Sequence, residues 1–178
     1  MDENFIAEVL SYSDNPAPAY EMLSEREQLF FRSIARDEAL VAVLPGHLYV
    51  EADVNHLLEL HFPNASPLID DLTYEQKIRR LRKSVALPSS IVTLLKALGE
   101  LRNACAHSLD RSLTEADDAR FYGALEPDFK PGVDDMINHG GFPPGPGARV
   151  RSAIIILHTG LSALRLTLQR REGPGASE

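Results

Sequence analysis

The 178-residue chain contains no tryptophan, one cysteine and only 7% aromatic residues. A lone cysteine, Cys105, cannot form an intramolecular disulfide, and it excludes a zinc site built from several cysteines. The scarcity of aromatic side chains disfavours a protein that binds single strands by stacking bases on exposed rings. The longest apolar run, at residues 154–157, is far shorter than the roughly 20 residues that cross a bilayer. These absences favour a soluble globular protein.

The amino-terminal residues are acidic and lack the basic stretch and apolar run of a secretory signal, so we expect a cytoplasmic protein with no membrane association. The length suits a single domain with one core over residues 1–178. Within that domain we expect a loosely ordered segment at residues 1–22, a loop at 126–147 and a frayed tail at 172–178.

Hydrophobic residues recur with helical spacing along most of the chain, and no alternating strand pattern competes with them. Ser24 and Glu27 have the spacing of a capping box and predict a helix that runs to Leu44 and stops at Pro45-Gly46. A second helix is predicted from Leu48 to Phe62. Further helices are predicted to begin after Thr73, Pro88 and Thr114, and a last one spans 148–171. The sequence therefore predicts an all-α, up-and-down bundle of about five helices.

The charge of the chain is unevenly distributed. The formal net charge is −8, yet residues 77–107 contain seven lysines and arginines and only one glutamate. A basic segment in an acidic protein can attract phosphate locally, so Lys77, Arg80 and Lys83 are candidate RNA-phosphate-binding residues. The alternative is that these residues are only the solvated face of a helix.

The segment with the most chemical content is Leu98–His107, in which Arg102 precedes Asn103 and His107 follows after three more residues. A guanidinium can hold a phosphate, and an imidazole can move a proton near neutral pH. An amide such as Asn103 can orient either group by hydrogen bonding. Arg102, Asn103 and His107 are therefore candidate catalytic residues for RNA cleavage that needs no metal or cofactor.

The spacing of the motif also bears on oligomeric state. Five residues along an ideal helix rotate a side chain by about 140°, so Arg102 and His107 do not share a face, whereas Asn103 and His107 do. Two copies of the helix that meet could each supply an arginine and a histidine to one phosphate site. The spacing therefore favours a homodimer.

Residues 46–62, 72–87 and 95–107 together resemble the HEPN superfamily (higher-eukaryote and prokaryote nucleotide-binding domains). That family is recognised by an arginine, a polar residue, a few more positions and a histidine, on a helix of a four- or five-helix bundle. Arg102, Asn103 and His107 match this motif. The resemblance implies a homodimer with paired motifs facing a shared cleft and, in many members, a metal-independent endoribonuclease.

The resemblance also implies a biological setting and an alternative. Many such members are toxins or defence and stress effectors, held by a cognate antitoxin or regulatory protein. One toxin branch carries a tyrosine two residues after the motif histidine as the target of a nucleotidylating antitoxin, and Leu109 stands there in this chain. Part of the chain also resembles the mannitol operon repressor branch. The alternative function is therefore a non-catalytic regulatory or interaction module.

Each candidate also has a purely structural interpretation. Arg102 could form an ordinary ion pair, for example with Glu51, and His107 could cap the end of its helix. Cys105 is expected to be a small core residue rather than a nucleophile. Glu51 and Asp53 are expected to be surface polar residues, although they could act as acid–base groups.

Overall fold

A computed structural model describes residues 24–34, 39–64, 66–85, 87–107, 111–139 and 145–172. Within these ranges the chain forms eight α-helices, a short 3₁₀ turn at Pro127–Phe129 and no strand. The helices are α1 (Glu25–Ile34), α2 (Ala39–His61), α3 (Ser66–Asp70), α4 (Tyr74–Ser84), α5 (Ser89–Ala106), α6 (Glu115–Ala124), α7 (Lys130–His139) and α8 (Ala148–Glu172). The predicted all-α class is confirmed, with more helices than the five expected.

The central element is α2, which packs against α1, α4, α5 and α8. The predicted end of a helix at Pro45-Gly46 is wrong, because α1 stops at Ile34 and α2 runs through both residues. Proline inside a helix loses one backbone hydrogen bond. Burial of apolar side chains on both sides of Pro45 compensates for that loss, since Val43 and Val50 are completely buried.

Capping residues determine where two of the helices begin. The Thr73 side chain accepts a hydrogen bond from the backbone N–H of Gln76, whose side chain accepts one from the N–H of Thr73. Thr114 and Asp117 make the same reciprocal pair at the start of α6. Both starts agree with the predictions from sequence, because capping boxes satisfy N–H groups that the first turn of a helix leaves unpaired.

The expected loop at 126–147 is also corrected, because it contains the 3₁₀ turn and α7. Pro131 is the second residue of α7, where the missing N–H costs nothing because the first turn has no acceptor for it. Val133 is fully buried, and Met136 and Ile137 pack against the core. These contacts fix α7 against α8. The segment is therefore an amphipathic helix rather than a connector.

A single hydrophobic core lies between α2, α5 and α8 and continues under α4 and α6. No helix in the described ranges is both long enough and apolar enough to cross a membrane. The described residues do not include Leu109, the predicted loose segment at 1–22 or the tail beyond Glu172. They also do not include much of the Gly/Pro-rich stretch before Gly145. The core leaves one edge of α2, α4 and α5 facing a polar cleft.

Candidate functional site

The cleft between α2, α4 and α5 has a volume of about 780 Å³. Its walls carry both charges, together with an imidazole, a phenol and an amide. The lining polar residues are His47, Glu51, Asp70, Thr73, Tyr74, Glu75, Lys77, Lys96, Glu100, Arg102 and Asn103. The cleft therefore contains two of the three motif residues predicted from sequence.

Arg102 and Asn103 lie together near the end of α5. Both side chains are exposed, and Arg102 Nη1 donates a hydrogen bond to Asn103 Oδ1 over 3.0 Å. The opposite face of α5 is anchored by Leu94, Leu98 and Leu101, which are buried in the core. No carboxylate in the described part of the chain forms an ion pair with Arg102. Its guanidinium is therefore available to an anion that enters the cleft.

His107 ends α5 and is exposed, but it does not line the cleft. Its backbone N–H donates to the carbonyl of Asn103 over 3.1 Å, so it occupies the cap position that sequence analysis gave as a structural alternative. One chain thus presents Arg102 and Asn103 to the cleft and His107 beyond its edge. The separation of Arg102 from His107 agrees with the rotation of about 140° expected from the helical spacing, whereas Asn103 and His107, which were expected to share a face, are also separated.

Lys77 has a different environment from the exposed, phosphate-contacting lysine that its position in the basic run suggested. It is only 5% exposed, and its Nζ lies 2.7 Å from Oε1 of Glu51 on α2. The Glu51 side chain is 24% exposed at the wall of the cleft. The positive charge of Lys77 is therefore already neutralised within the chain, although the residue lines the cleft.

The other two candidate phosphate-binding residues lie on α4 outside the cleft lining. The Arg80 guanidinium lies over the ring of Phe62, 5.1 Å from its centroid, and Lys83 is exposed. Arg79 and Arg82 are exposed on the same helix. Apart from Lys77, the basic residues of α4 thus form a surface that is separate from the cleft where Arg102 and Asn103 lie.

His47 is a cleft residue that sequence analysis missed. It is 4% exposed, its Nδ1 lies 3.7 Å from Glu51 Oε2, and its ring centroid lies 4.3 Å from that of Tyr74. Burial lowers the pKa of His47 to about 4; the Glu51 carboxylate opposes this shift, and the nearby charges of Arg102 and Lys77 add to it. His47 is therefore neutral at physiological pH. The i, i+4 spacing of His47 and Glu51 was the only sequence signal for this pair.

Tyr74 closes the floor of the cleft against α5. A Cβ placed on Gly99 would lie 2.9 Å from Cδ1 of Tyr74, so glycine allows the ring to touch the backbone of α5. Burial, followed by the nearby Glu51 carboxylate, raises the pKa of the Tyr74 phenol well above its usual range. Tyr74 therefore remains a protonated phenol, and it cannot serve as a base.

The prediction that Asp53 lies on the surface is wrong. Asp53 is completely buried, and its Oδ2 lies 2.5 Å from Nδ1 of His158 on α8. The His158 ring packs 4.2 Å from the Phe30 ring centroid, and Tyr49 contacts it edge-on. This acid–histidine pair belongs to the core and has no route to a substrate.

Cys105 is fully buried, and the expectation that it is a core residue is confirmed. Burial raises the pKa of its thiol, which disfavours the nucleophilic thiolate. In the described residues there is no group of three or more histidines, cysteines or carboxylates arranged to hold a metal ion. His139 ends α7, rather than lying in a loop.

Comparisons of the chain with models of known protein families, with curated proteins and with solved structures find no match. Function must therefore be argued from the side chains themselves. The residues on which a function can be argued are Arg102 and Asn103 in the cleft, His107 beyond its edge, and the group formed by His47, Glu51 and Lys77.

Proposed function

We propose that this protein is a HEPN-type, metal-independent endoribonuclease that acts as a homodimer, in which Arg102, Asn103 and His107 form the catalytic site. The observation that carries the proposal is the exposure of all three side chains at the end of α5, where Arg102 has no acidic partner among the described residues. An unpaired arginine beside an amide is suited to a phosphodiester.

In the proposed reaction, an imidazole takes the proton of a ribose 2′-OH, and the 2′-oxygen attacks the adjacent phosphorus. The bond from phosphorus to the 5′-oxygen breaks, which leaves a 2′,3′-cyclic phosphate on one fragment. The departing 5′-oxygen takes a proton from the other imidazolium of the dimer. Arg102 stabilises the charge on the phosphoryl oxygens, and Asn103 holds the guanidinium in place through the hydrogen bond that already joins them.

The dimer is part of this proposal because one chain does not place the histidine in its own cleft. His107 lies beyond the cleft lining that contains Arg102 and Asn103. A second α5 related by twofold symmetry can bring its own His107 to the rim.

The proposed biological role is that of a toxin or a stress or defence effector controlled by a partner protein.

The test is RNA cleavage in the presence of EDTA. We expect wild-type protein to cleave single-stranded RNA and to leave 2′,3′-cyclic phosphate ends, while Arg102→Ala and His107→Ala each lose at least about 100-fold in rate. Arg170→Ala is the matched control, since Arg170 is exposed on α8. Mixed dimers of a wild-type chain and a His107→Ala chain should lose most of the activity, because the shared site uses the histidine of both chains.

The alternative is a non-catalytic regulatory module of the mannitol-operon-repressor type. The exposed basic residues Arg79, Arg82 and Lys83 favour it to the extent that they form a charged surface separate from the cleft. If purified wild-type protein cleaves no RNA and its overexpression does not arrest growth, this alternative replaces the nuclease.

A further inference from the structure

The cleft contains the cation Arg102 and the carboxylate Glu51, and Glu51 does not neutralise Arg102. Of the four carboxylates that line the cleft, Glu51 pairs with Lys77 and Glu100 pairs with Arg120. Arg102 lines the same cleft and has no such partner among the described residues. The charge available to a phosphate therefore depends on how these acids are distributed among the cations.

Glu51 is the acid whose position matters most for Arg102. Its Oε1 lies 2.7 Å from Lys77 Nζ, while its Oε2 faces the His47 ring at 3.7 Å. Glu51, Lys77 and Arg102 line the same cleft as His47, and the charge of each acts on that one imidazole. Lys77 is nearly inaccessible to solvent and has little freedom to leave Glu51.

We infer that Lys77 is a positioning residue that holds Glu51 away from Arg102 and thereby keeps the Arg102 guanidinium free for phosphate. Without Lys77, the partly buried Glu51 carboxylate would need another cation, because a charge that is partly removed from water and has no partner is costly. Arg102 and Lys96 are the lining cations that have no acid among the described residues, and Arg102 is the one whose charge, like that of Glu51, acts on His47. Glu51 would then compete with the phosphate of RNA for the same guanidinium. The inference deepens the proposed function of this site and rests on it for the identity of the anion.

The inference predicts an asymmetry between the two partners of the ion pair. Lys77→Met should weaken RNA binding by about tenfold, the effect of one lost charged hydrogen bond. Glu51→Gln should bind as tightly as wild type or more tightly, because it removes the competitor. Glu51→Gln/Lys77→Met should return to within about twofold of wild type. A pair with only a structural role would make both single variants equally harmful.

The measurement is the fluorescence anisotropy of a labelled single-stranded RNA with 2′-O-methyl groups, which keeps its phosphates but cannot be cleaved by 2′-OH attack. Lys130→Met serves as the matched control, because it removes one lysine from α7, where the amine contacts Tyr122. Circular dichroism and thermal melting establish that each variant is folded. Binding and cleavage are measured separately. If the wild-type protein binds RNA but does not cleave it, the proposed nuclease function is overturned, while this inference about Lys77 still stands.

The charge-reversed chain Glu51→Lys/Lys77→Glu provides a second route if Lys77→Met does not fold. It keeps one acid paired with one base, so binding should stay within about threefold of wild type. The inference is overturned if folded Lys77→Met binds within twofold of wild type, if the double variant binds no better than Lys77→Met, or if Glu51→Gln is as weak as Lys77→Met. Failure of the wild type to bind the RNA at all overturns it together with the proposed function.

Discussion

Two acid–histidine pairs have their acid on α2 and are chemically similar, but they lie in opposite environments. Asp53 and His158 meet in the core, where the acid has no exposed surface and the ring is enclosed by Phe30 and Tyr49. Glu51 and His47 lie on the side of α2 that faces the cleft, with Lys77 beside the acid. The difference shows that proximity of a carboxylate and an imidazole does not make a site. Access and a nearby unpaired cation distinguish the second pair.

The sharpest separation of the two pairs is in stability. Asp53→Ala should lower the free energy of unfolding by about 3–5 kcal/mol, because it leaves the buried His158 without its partner and opens a cavity. Glu51→Ala should cost only about 1–2 kcal/mol, since the Glu51 side chain is 24% exposed at the wall of the cleft and its pair with Lys77 is only partly desolvated. Urea unfolding monitored by circular dichroism measures both. Equal losses in the two variants would mean that the cleft is as dry as the core.

The pH dependence of stability should come from the cleft side through His47. Its pKa falls from the ordinary 6.5 to about 4 in the folded chain, so between these values the unfolded state binds more protons. Stability is therefore retained above pH 6.5 and lost as the pH falls toward 4, by up to about 3 kcal/mol. Urea unfolding of wild type and His47→Gln at pH 7 and pH 4.5 tests this. The variant should lose distinctly less stability than wild type, and parallel losses would contradict the assignment.

Alanine substitutions at two closely packed glycines, one against the core and one at the cleft, should differ in their cost to stability. Gly46→Ala would place a Cβ 2.8 Å from Ile154 and 2.9 Å from Ile34, so we expect a loss of about 1–3 kcal/mol. Gly99→Ala would press on the Tyr74 ring, which borders the cleft and can shift, so we expect about 1 kcal/mol or less. Thermal melting ranks the two. A larger loss at Gly99 would indicate that the floor of the cleft is as rigid as the core.

Helix starts were predictable wherever the signal was local. The capping pairs Thr73–Gln76 and Thr114–Asp117 marked α4 and α6 because the hydrogen bonds involve residues three apart. The course of α2 through Pro45 was not predictable in this way. Its continuation depends on burial against α1 and α8, which the sequence around Pro45 does not report. For α7 the misleading signal was the repeated Gly and Pro near the end of the 126–147 segment, which follow the helix rather than interrupt it.

The candidate site divides along the same line. Arg102, Asn103 and His107 were found because they are close in sequence, and their exposure at the end of α5 agrees with that motif. The sequence offered Glu51 as a partner of Arg102, but in the structure Glu51 pairs with Lys77, which is 26 residues away in the chain. His47 was not predicted as a cleft residue. Its burial and lowered pKa result from the packing of Tyr74 and α5 around the ring, which the sequence near His47 does not show.

The sequence by itself determined the helical class, the capped starts of α4 and α6, the start of α5 after Pro88, and the motif at the end of α5. These features depend on periodicity and on contacts between residues a few positions apart. Only the tertiary structure decided which acid neutralises which base, which histidine is shielded from water, and that the basic face of α4 lies apart from the cleft. Electrostatic environment depends on distances between helices, and those distances result from the packing of the whole core.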